Sequence, residues 1–320
     1  MPADDSDLPL YARVRAQIEA IALRTGTADI SEILQVPPEW ELSRRLGVSR
    51  GTVRHALAEL EREGLLIRQS GRGTYVNPMA RLRRLVSTRL TTVAYPDSRF
   101  DMDFRRFAPD FAGAEPCRRH AAGLEEFNRA RTIFLTPDNA LQGLQAAALD
   151  QGKSVVVGTY EMRRGFYLLT PETVTPEDRR VAASLDGQER YGKRLTLPAL
   201  RAIEKIDLVI TGAIAVSSSG EYFGRGMGYF DLEWGLLSEL RLVSDKTPAV
   251  AIVHDCQVVQ NKPERREYDS VLDIIITPGS VLRPEKTRPK PSGLFWDRLS
   301  AEARHSPYIA EMLAARALGT

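Results

Sequence analysis

Arg50, Thr52 and Arg54 open a stretch, SRGTVRHALAEL from Ser49, in which Val53, Ala56, Leu57 and Leu60 recur at helical spacing. That spacing turns the apolar set inward and leaves two guanidiniums and a hydroxyl on the other face, at the N-terminal end. Arg can bond two acceptors on one guanine, and Thr can contact a phosphate or a thymine methyl, so the chemistry on offer is the reading of duplex DNA in the major groove. Ser49 is suited to cap this helix. Leu42, Leu46 and Val48 bracket a shorter helix before it, ending at Gly47, a residue free to take the left-handed conformation of a tight interhelical turn. After it, Gly64 closes a turn, Leu65, Leu66 and Ile67 read as a strand, and QSGRG at 69–73 is a turn into Thr74, Tyr75 and Val76. The hairpin carries Arg72 at its tip, and Gly71 and Gly73 permit close approach to a sugar-phosphate backbone.

Charge follows the same boundary. Residues 43–84 hold ten arginines, no lysine and three glutamates, a local net of +7 (ten less three), against +2 for all 320 residues. The positive charge is therefore local, and phosphate binding by it would fall with salt.

A second cluster, GRGMGYFD at residues 224–231, follows the apolar run IDLVITGAIAVSSSGEYF. Gly224, Gly226 and Gly228 remove side chains where a backbone must wrap a phosphate, and the helix expected from Tyr229 onward supplies free N–H groups. Arg225 adds charge, and Asp231 is a candidate magnesium ligand. Alone, the glycines fit a tight turn as well as a phosphate loop.

Apolar strands are expected at 131–135, 154–157, 206–210, 249–253 and 271–276, alternating with helical stretches such as 139–150 and 232–242. That alternation predicts a parallel α/β sheet, in which ligands sit at the carboxyl ends of the strands. The chain thus divides into a winged-helix domain (1–78), a linker rich in Arg (79–104) and an α/β domain (105–320). No apolar run approaches the roughly 20 residues needed to cross a bilayer, and MPADDSD is no signal peptide, so a cytoplasmic protein without membrane contact is expected. Cys117 and Cys256 lie far apart without metal-ligand spacing, which argues against a disulfide framework or zinc site.

The N-terminal pattern, from VPPEWELSRRLGVSRGTVRHALAELEREGL to SGRGTYV, resembles the GntR family of winged helix-turn-helix regulators over about residues 8–78. The resemblance implies DNA contacts at Arg50, Thr52, Arg54, Arg72 and Gly73, and Trp40 stands where the family usually has an Arg. Residues 105–315 resemble the 5-formyltetrahydrofolate cyclo-ligase (methenyltetrahydrofolate synthetase) family, with GRGMGYFD matching its glycine loop, and HDCQV, Tyr268-Asp269, LDIIITP and PSGLFWDRL matching later segments. The likeness is greatest to that family's divergent group. It implies ATP, magnesium and a folate derivative as ligands, with Gly224, Arg225, Gly226, Gly228, Tyr229 and Asp138 in the pocket and Asp138 in the place of a folate-contacting Glu. Three family cations are missing: Tyr222 and Met227 replace basic residues, and no N-terminal Lys is found between 78 and 104.

Together these features predict an operator-binding transcription regulator, a homodimer, whose C-terminal domain senses a folate or nucleotide. The alternatives are a working ATP-dependent cyclo-ligase joined to a DNA-binding domain, and a ligand-free dimerisation domain.

Overall fold

The computed structural model of the protein describes residues 9–24, 34–104, 106–224, 229–260, 266–286 and 288–318. They form two compact units, one up to Thr88 and one from Arg89 onward.

The first unit packs α1 (Leu10–Arg24), α2 (Glu39–Leu46) and α3 (Arg50–Arg62) beside an antiparallel wing of β1 (Leu66–Gln69) and β2 (Gly73–Val76). Val14 and Ile18 of α1, Leu42 of α2, Val53, Ala56, Leu57 and Leu60 of α3, and Leu66 and Val76 of the wing share one core. Gly47 ends α2 at φ 66°, ψ 30°, and Ser49 caps α3 by accepting a hydrogen bond from the Thr52 amide at 3.1 Å. The cap and the left-handed turn fix the angle at which α3 leaves α2.

Residues 79–104, expected as an irregular linker, hold most of α4 (Pro78–Leu90), with Leu82, Val86 and Leu90 buried at four-residue spacing. The helix's four arginines and polar neighbours hide that stripe from a reading by periodicity. Beyond it, isolated antiparallel bridges tie Ala94 to Phe111 and Asp97 to Asp101.

The second unit is built on an eight-stranded sheet of β3 (Thr132–Leu135), β4 (Ser154–Gly158), β5 (Phe166–Leu169), β6 (Lys193–Arg194), β7 (Leu208–Thr211), β10 (Ala249–Ile252), β12 (Ile274–Ile276) and β13 (Val281–Leu282). The strand order is β13-β12-β10-β7-β3-β4-β5-β6. A small sheet of β8 (Ala215–Ser217), β9 (Tyr222–Phe223) and β11 (Val258–Val259) flanks it. The five central strands are parallel and match the five expected from sequence, whereas β5, β6 and β13 run antiparallel, so the sheet is mixed. Both faces are covered. Ile133, Val155, Val157, Ile210 and Ile274 pack on one side, and Phe134, Val156, Val209, Ala251 and Ile275 on the other. Burial on both faces is why these strands read as unbroken apolar runs. Among the described residues no helix is long and apolar enough to cross a membrane, and Cys117 and Cys256 are unbridged.

Candidate functional site

On the first unit, the N-terminal turn of α3 presents Arg50 and Arg54 to solvent, with Thr52 half-buried between them. Arg54 forms an exposed ion pair with Glu39 of α2, Nη2 to Oε2 at 3.1 Å. Such an exposed pair is screened by solvent and contributes little, so it orients the guanidinium without withholding it. At the wing tip Gly73 adopts φ +116°, and a Cβ there would stand 2.6 Å from Gln35 Nε2. Gln35 Nε2 donates to the Arg72 carbonyl at 3.1 Å and the Tyr75 hydroxyl donates to it at 3.0 Å, which pins the loop and leaves the Arg72 side chain exposed. Sequence reasoning placed Arg72 but not the two residues that hold its backbone, because nothing in their spacing marks a side chain aimed at a neighbouring turn. Trp40 is half exposed, with the Arg44 guanidinium 5.5 Å from its ring.

The second unit holds a cleft of about 650 Å³ open to solvent, at the carboxyl ends of β3, β4 and β7. Thr136, Pro137 and Asp138 follow β3, Thr159 and Tyr160 follow β4, Thr211 ends β7, and Tyr222, Gly224, Tyr229 and Glu233 close it. This is where ligands sit in open α/β sheets. Asp138 is fixed: its Oδ2 accepts from the Thr136 hydroxyl and from the Gly212 amide at 2.9 Å. Gly212 has to be small, since a Cβ there would come within 3.0 Å of the Asp138 side chain.

Cations reach the cleft from a segment that sequence analysis assigned to the linker and its border. Arg99 forks onto Asp97, Nε to Oδ1 at 3.1 Å and Nη2 to Oδ2 at 2.9 Å, and its guanidinium lies 4.9 Å from the Phe100 ring centroid and 5.3 Å from that of Tyr160. Arg106 stacks 4.1 Å over Phe100 and has no ion-pair partner among the described residues. Burial opposes ionisation of Asp97, but hydrogen bonds from Arg99 and Asn139 override it and pull the carboxyl down to about 2. Asp97 is thus an anion that holds Arg99 against the aromatic wall. No spacing signal distinguished these arginines from the solvated ones around them.

Glu233 is the other residue that sequence reasoning passed over. It lies on the helix Tyr229–Glu239, 1% exposed, among Phe230, Leu232, Trp234, Leu236 and Leu237. Burial, and then the neighbouring charge of Asp138, push its carboxyl well above the usual carboxylate range. The available signal was a glutamate flanked by Phe230, Leu232, Trp234, Leu236 and Leu237, a group almost never fully buried without a reason. Gly158, the last residue of β4, makes room for it: a Cβ at that position would collide with Glu233 Oε1. Gly158→Ala is therefore expected to destabilise the chain by about 1–3 kcal/mol, the usual cost of overpacking. Thermal melts of Gly158→Ala with and without Glu233→Ala check this, since the second substitution should restore most of the loss.

Gly224, Tyr229 and Asp138 of the expected pocket are thus brought together in the cleft, while Arg225, Gly226 and Gly228 lie outside the described residues. Tyr222 is buried, 4.8 Å from Phe230 centroid to centroid. Asp231 points elsewhere. It is 8% exposed, its Oδ1 accepts from the Ser270 amide at 2.7 Å, and it borders a smaller cavity with Tyr268 and Phe295.

Residues 79–278 match the model of the 5-formyltetrahydrofolate cyclo-ligase family, and residues 9–76 match that of the bacterial regulatory proteins of the gntR family. A methenyltetrahydrofolate synthase domain-containing protein of Bos taurus is 36% identical over 198 residues, 61% of this chain and 51% of that protein. The HTH-type transcriptional repressor NagR of Bacillus subtilis is 38% identical over 72 residues, 22% of this chain and 28% of the repressor. The NMR structure of Aquifex aeolicus 5,10-methenyltetrahydrofolate synthetase aligns with 66% of this chain and 94% of its own, at 18% identity and a TM-score of 0.41. The chain spans about half the length of the bovine relative.

Proposed function

Because the chain belongs to the 5-formyltetrahydrofolate cyclo-ligase family and carries a GntR-type regulator domain ahead of the cyclo-ligase domain, we propose that it is a DNA-binding transcription regulator whose cleft receives a folate or nucleotide effector. The observation that carries this reading is one chain holding two solvent-facing sites of complementary kind: a basic reading helix with a basic wing, and an open cleft at the carboxyl ends of the sheet strands. In the first, Arg50 and Thr52 would contact base edges and phosphate, Arg54 would exchange Glu39 for the duplex, and Arg72 would lie along the backbone beside Gly73. A homodimer would place two such helices about one helical turn apart on a pseudo-palindrome.

In the second site, Arg99 and Arg106 with the Phe100 and Tyr160 rings suit a ligand that is flat at one end and anionic at the other. ATP and a folate both have that character. Magnesium fits less well. Asp231, the expected ligand, is buried and engaged with the Ser270 amide, so no step through the metal is assigned here. A cleft that binds without efficient turnover is what a sensor needs, and its output is bounded by the effector's differential affinity for the two arrangements of the dimer. Titration of ATP or 5-formyltetrahydrofolate into the protein–operator complex at fixed salt tests the reading, which fails if operator affinity does not change.

A further inference from the structure

The solvent face of α2 carries a pair of side chains that the core does not use. Trp40, in the first turn, is 50% exposed, although a ring of that size is usually covered. Arg44 follows one turn later on the same face, and its guanidinium lies 5.5 Å from the centroid of the indole ring. The arginines around it are held by carboxylates: Arg45 by Glu41 at 3.5 Å, Arg54 by Glu39 at 3.1 Å and Arg62 by Glu59 at 3.3 Å. Arg44 is exposed and has no ion-pair partner among the described residues, so the indole is what holds it. An arginine held by a ring rather than by a carboxylate keeps its N–H fork for an anion, and the fork matches two oxygens of a phosphodiester. The indole Nε1–H, without an acceptor among the described residues, adds a neutral donor beside it. The pair also sits where such an anion would pass. Glu39, next to Trp40 in the chain, bonds to Arg54 of α3 and so ties the start of α2 to the edge of the reading face. In helix-turn-helix proteins the helix before the reader crosses the sugar-phosphate backbone. With a local net charge of +7 over residues 43–84, the complement by charge is a polyanion.

We propose that Trp40 and Arg44 form a clamp for one backbone phosphate of duplex DNA. Arg44 supplies the charge, and Trp40 sets the position of the guanidinium and adds its own N–H. The inference rests on the reading of the first unit as a duplex-binding domain and adds to it a contact, made by α2, that positions the protein without reading base sequence.

The test uses the full chain, with fluorescence anisotropy on a duplex selected from a random pool and on unselected duplex, across a salt series. Arg44→Ala should weaken both duplexes by the same factor, about 3- to 10-fold at moderate salt, and lower the slope of log affinity against log salt by about 1. Trp40→Ala should also weaken both, with a smaller change of slope, since the charge remains but is no longer held in place. Trp40→Phe keeps a ring under the guanidinium and should stay within about threefold of wild type. Because the two side chains act as one, Arg44→Ala/Trp40→Ala should bind little more weakly than Arg44→Ala alone. Both positions are exposed, so the variants should melt with the wild-type protein. An unchanged salt slope in Arg44→Ala, with Arg50→Ala still losing its preference for the selected duplex, overturns the clamp and leaves the duplex reading in place. So does a Trp40→Ala variant that sediments as a smaller species than wild type and binds with an unchanged slope, which would make the ring a contact between copies of the chain. Failure of the wild-type protein to bind any duplex overturns both.

Discussion

Arg50→Ala is expected to weaken operator binding by about 5- to 150-fold, the equivalent of roughly 1–3 kcal/mol for a bidentate base contact, while hardly changing affinity for random duplex. Arg50 is exposed at the first position of α3, has no ion-pair partner among the described residues, and sits on a helix whose entry is fixed by the Ser49 cap and the Gly47 turn. Arg72→Ala should behave differently. It is expected to weaken operator and random DNA alike and to lower the slope of log affinity against log salt by about 1, because a wing-tip contact to phosphate releases counterions without reading sequence. Fluorescence anisotropy on an operator selected from a random duplex pool, repeated at several salt concentrations, separates the two. Equal losses on both DNAs for Arg50→Ala would contradict the assignment of α3 as the reading helix.

The second large effect is expected in chemistry. With Mg-ATP and 5-formyltetrahydrofolate, the full chain should form methenyltetrahydrofolate at least about 100-fold more slowly than an authentic cyclo-ligase. Phosphoryl transfer depends on neutralising charge as it develops, and loss of one such contact costs about 10²–10³ in rate. Here Tyr222 is packed against Phe230 where the family has a cation, Met227 replaces another, and Asp231 is engaged with the Ser270 amide. Arg99 and Arg106 restore positive charge to the cleft, but Asp97 neutralises the first and the second is exposed and stacked on Phe100. They suit binding better than catalysis. A rate within tenfold of the authentic enzyme would show that the two arginines replace the missing cations and would favour the bifunctional alternative.

Most of the scaffold could be read from residue patterns because its determinants are local. The Ser49 cap, the Gly47 turn and the 3.6-residue spacing of Val53, Ala56, Leu57 and Leu60 all lie within residues 47–60. The five central strands announced themselves as apolar runs because both sheet faces are buried. Strands β5, β6 and β13 were missed because they are short, two of them two residues long and the third four, too few for a period to show. The site was less legible. Asp138, Gly224 and Tyr229 came from a motif, but Arg99 and Arg106 gain meaning only when the chain after α4 brings them beside Tyr160, some 50 to 60 residues on. Glu233 differs from a surface glutamate only by its burial, which depends on how the helix Tyr229–Glu239 packs.

The link between the two domains is tested most directly by the affinity of the full chain for its selected operator at fixed salt, measured without effector and with saturating 5-formyltetrahydrofolate or ATP. The expected result is a change of about 5- to 150-fold, the usual range of coupling between sites, abolished in the Arg99→Ala/Arg106→Ala variant. Identical operator affinities with and without bound ligand would contradict a sensor and leave the cyclo-ligase domain without a part in regulation.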